Sequence, residues 1–362
     1  MYKKREEEMK KALIAMSGGV DSSLAAQLTK DAGYECIGCT MKLHDNKDIS
    51  VNNDNACCGV DDIEDARNVA DRIGIPYYVF NFREDFYKNV ISRFICAYEN
   101  GLTPNPCIDC NRFMKFDKLF ERARELGCEY VVTGHYVRIE EENGQFYLKK
   151  ALDDSKDQSY VLYSMTQEQL AHTMFPLGGM KKSEVRELAE KHSFINADKP
   201  DSQDICFVPD GDYSAFLERT TGKTYAPGDF IDVAGNVLGR HKGTIRYTVG
   251  QRKGLGIAFG KPMYVKHIDV ENNTVILAED EDLYSDTLVA NDFNWISGKA
   301  PASEIKCKAK IRYRHREQPA TVYPQEDGSV KVVFDEPQRA ITPGQSVVLY
   351  DGDVVLGGGR IL

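Results

Sequence analysis

The segment TPNPCIDCNRFMKF, Thr103 to Phe116, sets Cys107 and Cys110 at CxxC spacing just after an Asn-Pro turn. That spacing suits a metal site, a redox pair or an activated nucleophile. A helix is expected from near Asn111, and its dipole would lower the pKa of the Cys110 thiol ahead of it. Structural zinc would call on a fourth thiolate, and the other CxxC, Cys36 to Cys39, lies in an apolar run that reads as core strand. The other stretch with chemical character is SGGVDSS, Ser17 to Ser23. Its glycines permit close backbone approach and positive φ. The helix expected to follow offers unpaired N–H groups and a partial positive charge to a phosphate, and the hydroxyls of Ser22 and Ser23 add donors. The pattern is neither GxxxxGKS/T nor GxGxxG, so it is neither a Walker loop nor a dinucleotide fingerprint.

The surrounding sequence supplies elements that could position these groups. From Lys11 to about Leu126, short apolar runs alternate with helical periods. ALIAM, ECIGCTM, IPYYVFNF and EYVVTGHY read as strands. VDSSLAAQLTKDAG and DDIEDARNVADRIG read as helices stopped by Gly33 and Gly74. Phe86, Val90, Phe94 and Tyr98 recur every four residues and predict a helix. Phe113, Phe116, Phe120 and Ala123 predict another, ending at Gly127. Such alternation predicts an α/β fold, a doubly wound parallel sheet with helices on both faces. After about Thr221 the helical periods vanish and short, turn-punctuated strands appear, as in β-barrels or sandwiches. The expected division is a catalytic domain over 1–205, a small β-rich domain over 206–282 and a C-terminal β-barrel over 283–362. Linkers are expected near Pro200–Gly222 and Asp280–Asp286.

The length of 362 residues, at about 150 residues per domain, fits two or three domains. The N-terminal apolar run Ala12–Met16 is too short for a signal sequence or membrane span, and Glu6, Glu7 and Glu8 argue against a transit peptide. The expectation is a soluble, cytoplasmic protein with no membrane association. Ten cysteines are too dilute for a disulfide scaffold. Cys36 and Cys39 read as core, Cys96, Cys128 and Cys307 as structural, and Cys57-Cys58 in a polar loop stays unassigned.

A net charge of −10 argues mildly against a nucleic-acid binder. The charge is unevenly spread, however. In EIKCKAKIRYRHREQ, Lys306, Lys308, Lys310, Arg312, Arg314 and Arg316 alternate, which on a strand puts them on one face with Cys307, Ala309, Ile311 and Tyr313 on the other. GRHKGTIRYTVGQRKG adds Arg240, Lys242, Arg246, Arg252 and Lys253 with no acid among them. These stripes fit contacts to a nucleic-acid backbone.

SGGVDSS, NPCIDCNRFMKF, VVTGHYVRI, KDQSYVLY, DSQDICF and GQRKGLGI, in this order, resemble the tRNA-uridine 2-sulfurtransferase (MnmA/TrmU) family, and the first of them is the pyrophosphate-loop (PP-loop) signature of ATP pyrophosphatases. The resemblance runs from about Lys11 to the C-terminus. It implies a PP-loop enzyme that uses ATP to replace the 2-oxygen of the tRNA wobble uridine with sulfur. The uridine oxygen would be adenylated, pyrophosphate released, and sulfur delivered from a cysteine persulfide. By resemblance, Cys110 is the nucleophile and Cys206 the persulfide carrier. Outside its motif, Cys206 between Ile205 and Phe207 reads as a core cysteine. The resemblance carries ATP binding onto Ala15, Met16, Ser17, Gly18, Gly19, Val20, Asp21, Ser22, Met41 and Gly134, with Asp21 a candidate to orient Mg²⁺. It carries tRNA binding onto Asn105, Pro106, Cys107, His135, Lys156, Asp157, Gln158, Arg312, Tyr313 and Gln345. The implied partners are tRNAs for Lys, Glu and Gln and a persulfide donor such as a cysteine desulfurase or sulfur-relay protein.

One departure matters. Where the family pattern has NPD, this chain has NPC, which makes Cys107 a third thiolate beside Cys110 and Cys206. Three thiolates can hold an iron–sulfur cluster with one open iron. The persulfide relay is the preferred expectation, with the cluster second and zinc last. A small-molecule PP-loop ligase would share SGGVDSS without needing Cys110, Cys206 or the basic stripe. A non-catalytic RNA- or metal-binding module would have no use for the phosphate loop.

Overall fold

The computed structural model describes residues 9–44, 60–194, 196, 199 and 205–362. The chain divides into two compact units, one made of the chain up to Tyr87 with Cys110–Pro209, the other of Lys88–Asp109 with Asp210–Leu362.

The first unit is built on the predicted alternation: β1 (Lys11–Ala15), α1 (Val20–Asp31), β2 (Glu35–Lys42), α2 (Val60–Ile73) and β3 (Tyr77–Asn81). Further elements of this unit, with helix α3 (Ser92–Glu99) of the other unit intervening in the chain, are α4 (Leu119–Glu125), β4 (Tyr130–Val132), the hairpin β5 (Val137–Glu142) and β6 (Gln145–Lys150), β7 (Thr173–Met174) and α5 (Lys182–Lys191). A 5-stranded sheet runs in the order β3-β2-β1-β4-β7, and every pair is parallel. Side chains alternate between its faces. Ala12 and Ile14 of β1 join a cluster with Leu24, Ala66, Val69, Ala70, Val185 and Ala189 from α1, α2 and α5. Leu13, between them, is equally buried, so both faces are covered as an all-parallel sheet requires. β3 is an edge strand, and Tyr78 and Val79 on it are exposed.

Phe86, Val90, Phe94 and Tyr98 are all buried, as their spacing predicts. A strict four-residue repeat outruns the 3.6-residue turn of an α-helix. The backbone accommodates it with a π-helical stretch, Tyr87–Ile91, between the short helix Arg83–Phe86 and α3. A second π-helical stretch, Cys110–Lys118, precedes α4 and shifts the buried positions to Asn111, Met114 and Phe116. Of the predicted face, Phe116, Phe120 and Ala123 are buried, and Phe113 is only half-buried.

In the second unit, α3 packs on α6 (Tyr213–Thr221) through Phe94, Tyr98, Tyr213 and Phe216. The stretch 200–222, read as a linker, thus contains a helix capped by Asp212 and ended by Gly222 in the left-handed region. A 4-stranded sheet follows in the order β10-β11-β8-β9, from β8 (Gly228–Ile231), β9 (Val237–His241), β10 (Tyr264–Asp269) and β11 (Thr274–Ala278). Its core gathers Phe230, Tyr247, Val265, Ile268, Val275 and Leu277. Residues 280–286, also read as a linker, form a 3-10 turn, Asp280–Leu283, that leads straight into the next strand.

The C-terminal strands are β12 (Tyr284–Trp295), β13 (Ile305–Lys310), β14 (Gln318–Pro324), β15 (Val330–Arg339), β16 (Ser346–Asp351) and β17 (Val354–Ile361). They pair antiparallel in the order β12-β15-β14-β13-β16-β17, and β12 also pairs with β17, which closes a barrel. Its core is lined by Leu288, Ala309, Val322, Val332, Phe334, Val347 and Leu349.

Candidate active site

The phosphate loop sits where β1 hands over to α1. Gly18 has φ +75°, and a Cβ there would lie 2.5 Å from the Asp62 carbonyl oxygen of α2. Both facts demand glycine. Gly19 is the N-cap of α1. Gly134 lies just beyond the end of β4, and a Cβ on it would come within 2.8 Å of the Asp21 carbonyl carbon and 2.9 Å of the Ser22 nitrogen. The two motifs SGGVDSS and TGHY therefore meet backbone to backbone, at the C-terminal edge of the sheet where open α/β folds bind ligands.

The loop is largely self-braced. Ser22 Oγ and Ser23 Oγ each donate to the Gly19 carbonyl at 3.0 Å, and Ser22 Oγ accepts from the Ser17 N–H at 3.1 Å. These hydroxyls, expected as ligand donors, shape the turn instead, and only Ser17 is exposed. The Met16 side chain belongs to the core cluster, and its carbonyl accepts from Thr40 Oγ1 at 2.5 Å. Ala15 precedes the loop and is half-buried, Val20 lies within it and is buried, and Met41 is buried near the end of β2.

Asp21 is held by residues the sequence did not mark. Lys182 Nζ lies 2.7 and 2.8 Å from its two carboxylate oxygens, and the Tyr136 hydroxyl donates to Oδ1 at 2.7 Å. Lys182 is only 8% exposed and starts α5, where its N–H donates to Asp153 Oδ2 at 3.0 Å. That bond is the largest of those holding the Asp153 carboxyl below its usual range. With both oxygens on an ammonium, Asp21 as placed does not fit a Mg²⁺ ion, and no step is derived through one. Asn196 braces the loop from another side, donating from Nδ2 to the Gly18 carbonyl at 2.8 Å and to Ser23 Oγ at 2.9 Å.

His135 is 7% exposed, between Phe116 and Phe175. Its Nε2 lies 3.3 Å from Lys115 Nζ, which can only donate, so the ring proton sits on Nδ1 and is donated to Thr133 Oγ1 at 2.7 Å. Burial, with Lys115 adding to it, pushes the imidazole well below its usual pKa and keeps it neutral.

Cys110 and Cys206 both belong to this unit and both are half-buried. Cys110 opens the π-helical stretch, followed by buried Asn111, whose amide donates to the Val161 carbonyl at 3.1 Å. Single π-turns inside helices are frequent at functional sites. Cys206 lies in a turn closed by the Val208 N–H on the Ile205 carbonyl at 2.9 Å. Its neighbour Phe207 is anchored edge-on against Phe86. The other cysteines differ. Burial pushes the Cys36 thiol up to about 11 and Cys307 to about 12, and raises Cys39 and Cys128 as well, so they stay protonated. Cys96, expected as structural, is instead exposed on α3. Cys57 and Cys58 lie outside the described residues. Among the described residues no three His, Cys, Asp or Glu side chains converge as a metal would need. No step is derived through an iron–sulfur cluster.

The remaining expected site residues divide by role. Asp157 caps the turn Ser159–Leu162, accepting from the Ser159 N–H at 3.2 Å and its hydroxyl at 2.7 Å, and Gln158 Oε1 accepts from the Tyr136 N–H at 2.9 Å. Lys156 is half-buried beside them. In the second unit, Asn105 is an N-cap: its Oδ1 accepts from the Cys107 N–H at 3.2 Å, with Pro106 at the first helical position. Helical turns therefore begin at Pro106, not near Asn111, and exposed Cys107 rather than Cys110 occupies the first turn. This loop is seated on the barrel. Gln345 Nε2 donates to the Thr103 carbonyl at 2.8 Å, and the Thr103 N–H donates to the Pro343 carbonyl at 2.9 Å.

The basic stripe is shorter than predicted. β13 ends at Lys310, because the chain must turn back through residues 311–317 to pair Ala309 with Gln318 of β14. Lys306 and Lys308 share an exposed strand face, and Arg314 and Arg316 are exposed in the turn. Arg312 donates to the Arg339 carbonyl. Tyr313, expected on the apolar face, is 38% exposed with Lys310 Nζ 5.8 Å from its ring centre. In the second patch, Arg246 is paired with Glu218 at 2.7 Å and Arg240 with Asp229 at 4.0 Å, while Lys242, Arg252 and Lys253 are exposed.

Residues 10–210 match the family described as tRNA methyl transferase HUP domain, residues 214–279 its PRC-barrel domain, and residues 285–361 the aminomethyltransferase β-barrel domain. A tRNA-specific 2-thiouridylase MnmA of Clostridioides difficile is 52% identical over 354 residues, 97% of this chain and 98% of its own length. Another, from Acetivibrio thermocellus, is 52% identical over 355 residues, 97% of this chain and 99% of its own length. This chain belongs to the tRNA-specific 2-thiouridylase family. Lys115, Tyr136, Lys182 and Asn196 of this family member were missed from sequence. Tyr136, next to His135 in TGHY, and Lys115, inside NPCIDCNRFMKF, lay in motifs that carried a signal. Lys182 lies in a Lys-Lys pair and Asn196 in Asn-Ala-Asp, which read as a solvated helix start and a turn.

Proposed function

We propose that the protein catalyses ATP-dependent 2-thiolation of the wobble uridine of tRNA. One observation carries this reading. The phosphate loop and both motif cysteines, Cys110 and Cys206, fall in one compact unit of a chain matched over 97% of its length by tRNA-specific 2-thiouridylases. ATP would lie over the loop, with its phosphates toward the backbone N–H groups at the start of α1. The uridine 2-oxygen attacks the α-phosphorus and pyrophosphate leaves. A donor such as a cysteine desulfurase or sulfur-relay protein loads Cys206 as a persulfide. The Cys110 thiolate attacks the Cys206 sulfur of that persulfide, forming a disulfide and releasing the terminal sulfur as hydrogen sulfide. Sulfide attacks C2 of the adenylated base, and AMP leaves with the original oxygen. Two thiols are oxidised and one sulfane sulfur reduced, so a dithiol reductant must reopen the disulfide before the next turnover.

In this reading Asn105, Pro106 and Cys107 meet the splayed base, since a single-stranded anticodon loop releases a base at modest cost. Lys306, Lys308, Arg314 and Arg316 supply phosphate contacts, and exposed Tyr313 offers a stacking face. The working division of the chain remains 1–205, 206–282 and 283–362, the protein is placed in the cytoplasm, and the substrates are tRNAs for Lys, Glu and Gln. Among the described residues no helix is long and apolar enough to cross a membrane. The test is ATP–pyrophosphate exchange with and without tRNA. Exchange that requires tRNA agrees with thiolation. Exchange driven by a small acid without tRNA points to a ligase and overturns the proposal.

A further inference from the structure

We infer that Asn196 is a positioning residue for ATP: it fixes the direction in which the phosphate loop presents the Gly19 N–H. Asn196 is 3% exposed and lies beyond α5, far along the chain from the loop. Its amide nitrogen reaches the Gly18 carbonyl at 2.8 Å and Ser23 Oγ at 2.9 Å. In a trans peptide the carbonyl of one residue and the N–H of the next point in opposite directions. Holding the Gly18 carbonyl toward Asn196 therefore turns the Gly19 N–H the other way. Gly19 is the N-cap of α1, so that N–H belongs to the group of helix-start donors that hold an anion. Gly18 sits at φ +75°, and a glycine peptide rotates cheaply, so the direction needs an outside constraint. A flipped peptide would present a carbonyl oxygen to the phosphates and repel them.

Two further observations fit. The second Asn196 bond is to Ser23 Oγ, which itself donates to the Gly19 carbonyl at 3.0 Å, so one side chain governs the peptides on both sides of Gly19. Among the described residues nothing donates to the buried Asn196 Oδ1. A buried acceptor without a donor is unfavourable, and it is tolerated where another requirement fixes the side chain. Here the requirement is the amide nitrogen's hold on the loop.

The inference rests on the loop binding ATP, as proposed above. The experiment measures ATP and tRNA dissociation constants and melting temperature for wild type, Asn196→Ala and the isosteric Asn196→Asp. Loss of the orienting bond is expected to weaken ATP binding about tenfold, as removal of one hydrogen bond does, while tRNA affinity stays at the wild-type value. In Asn196→Asp a protonated carboxyl regains one donor, so its ATP affinity should recover toward wild type as pH is lowered into the carboxyl's range, a recovery that a mere packing role would not produce. ATP affinity of both variants within twofold of wild type, or a parallel loss of tRNA affinity, overturns the inference. If Asn196→Ala does not fold, Asn196→Asp alone decides. Wild-type protein that binds no ATP overturns the reading of the loop itself.

Discussion

Replacing Lys182 by Met removes the ammonium that engages both oxygens of Asp21 and leaves, among the described residues, the Tyr136 hydroxyl as the partner of that carboxylate. The Lys182 side chain is 10% exposed and that of Asp21 29%. Breaking one partner of a fully buried pair costs about 3–5 kcal/mol. Partial exposure of Asp21 and its retained Tyr136 bond reduce this to about 2 kcal/mol, the range of a bond to a charged group. Replacing both partners, in Lys182→Met with Asp21→Asn, removes the stranded charge and should return about 1 kcal/mol of it. Urea unfolding of wild type, both single variants and the double variant gives the coupling directly. Because the loop is displaced when Asp21 moves, ATP–pyrophosphate exchange by Lys182→Met should fall by roughly 30-fold, the equivalent of about 2 kcal/mol. Additive single and double variants, with exchange unchanged, would refute the claim that this ion pair shapes the loop.

Gly134→Ala should lower exchange between about 5-fold and 150-fold, as about 1–3 kcal/mol of overpacking implies, with circular dichroism unchanged, because its Cβ would strike the backbone of Asp21 and Ser22. His135 is neutral in the fold because burial lowers its pKa from 6.5, so as pH falls below about 6.5 the unfolded chain takes up a proton that the fold does not. Stability should then decrease by up to about 1.4 kcal/mol per pH unit from this residue, and the difference between wild type and His135→Gln in urea unfolding at neutral and acidic pH isolates it. Lys306→Ala with Lys308→Ala should weaken tRNA binding and lower the salt slope by roughly one for each phosphate no longer neutralised, while an unchanged affinity at physiological salt would make the basic strand face only a protected edge.

Much of the architecture could be read from periodicity. The strand–helix alternation from Lys11 onward and the shift to short strands after Thr221 both appear in the fold, because each reflects burial on a face of fixed period. The phosphate loop was legible from its glycines and its place between strand and helix. The periodic reading of Phe113, Phe116, Phe120 and Ala123 departs from the fold only at Phe113, inside a π-helical stretch, which changes the phase of a helix without changing its composition. The basic stripe was overextended because alternation of charge continues through Arg312 to Arg316 after the hydrogen-bonded strand has ended. Lys182 and Asn196 were invisible for a simpler reason. They act through residues distant in sequence, and only the fold brings an ordinary lysine to Asp21 and an ordinary asparagine to Gly18.

The central claim is that Cys206 carries sulfur which Cys110 releases onto adenylated tRNA. It is tested most directly by single-turnover thiolation with purified protein, ATP, tRNA and a persulfide donor, measuring 2-thiouridine, AMP, pyrophosphate and protein iron together. The expected result is one AMP and one pyrophosphate for each 2-thiouridine formed, no thiolation by Cys110→Ser or Cys206→Ser, and activity retained by iron-free wild type and by Cys107→Asp. Thiolation that requires iron and is lost in Cys107→Asp, or that persists without Cys206, would contradict it.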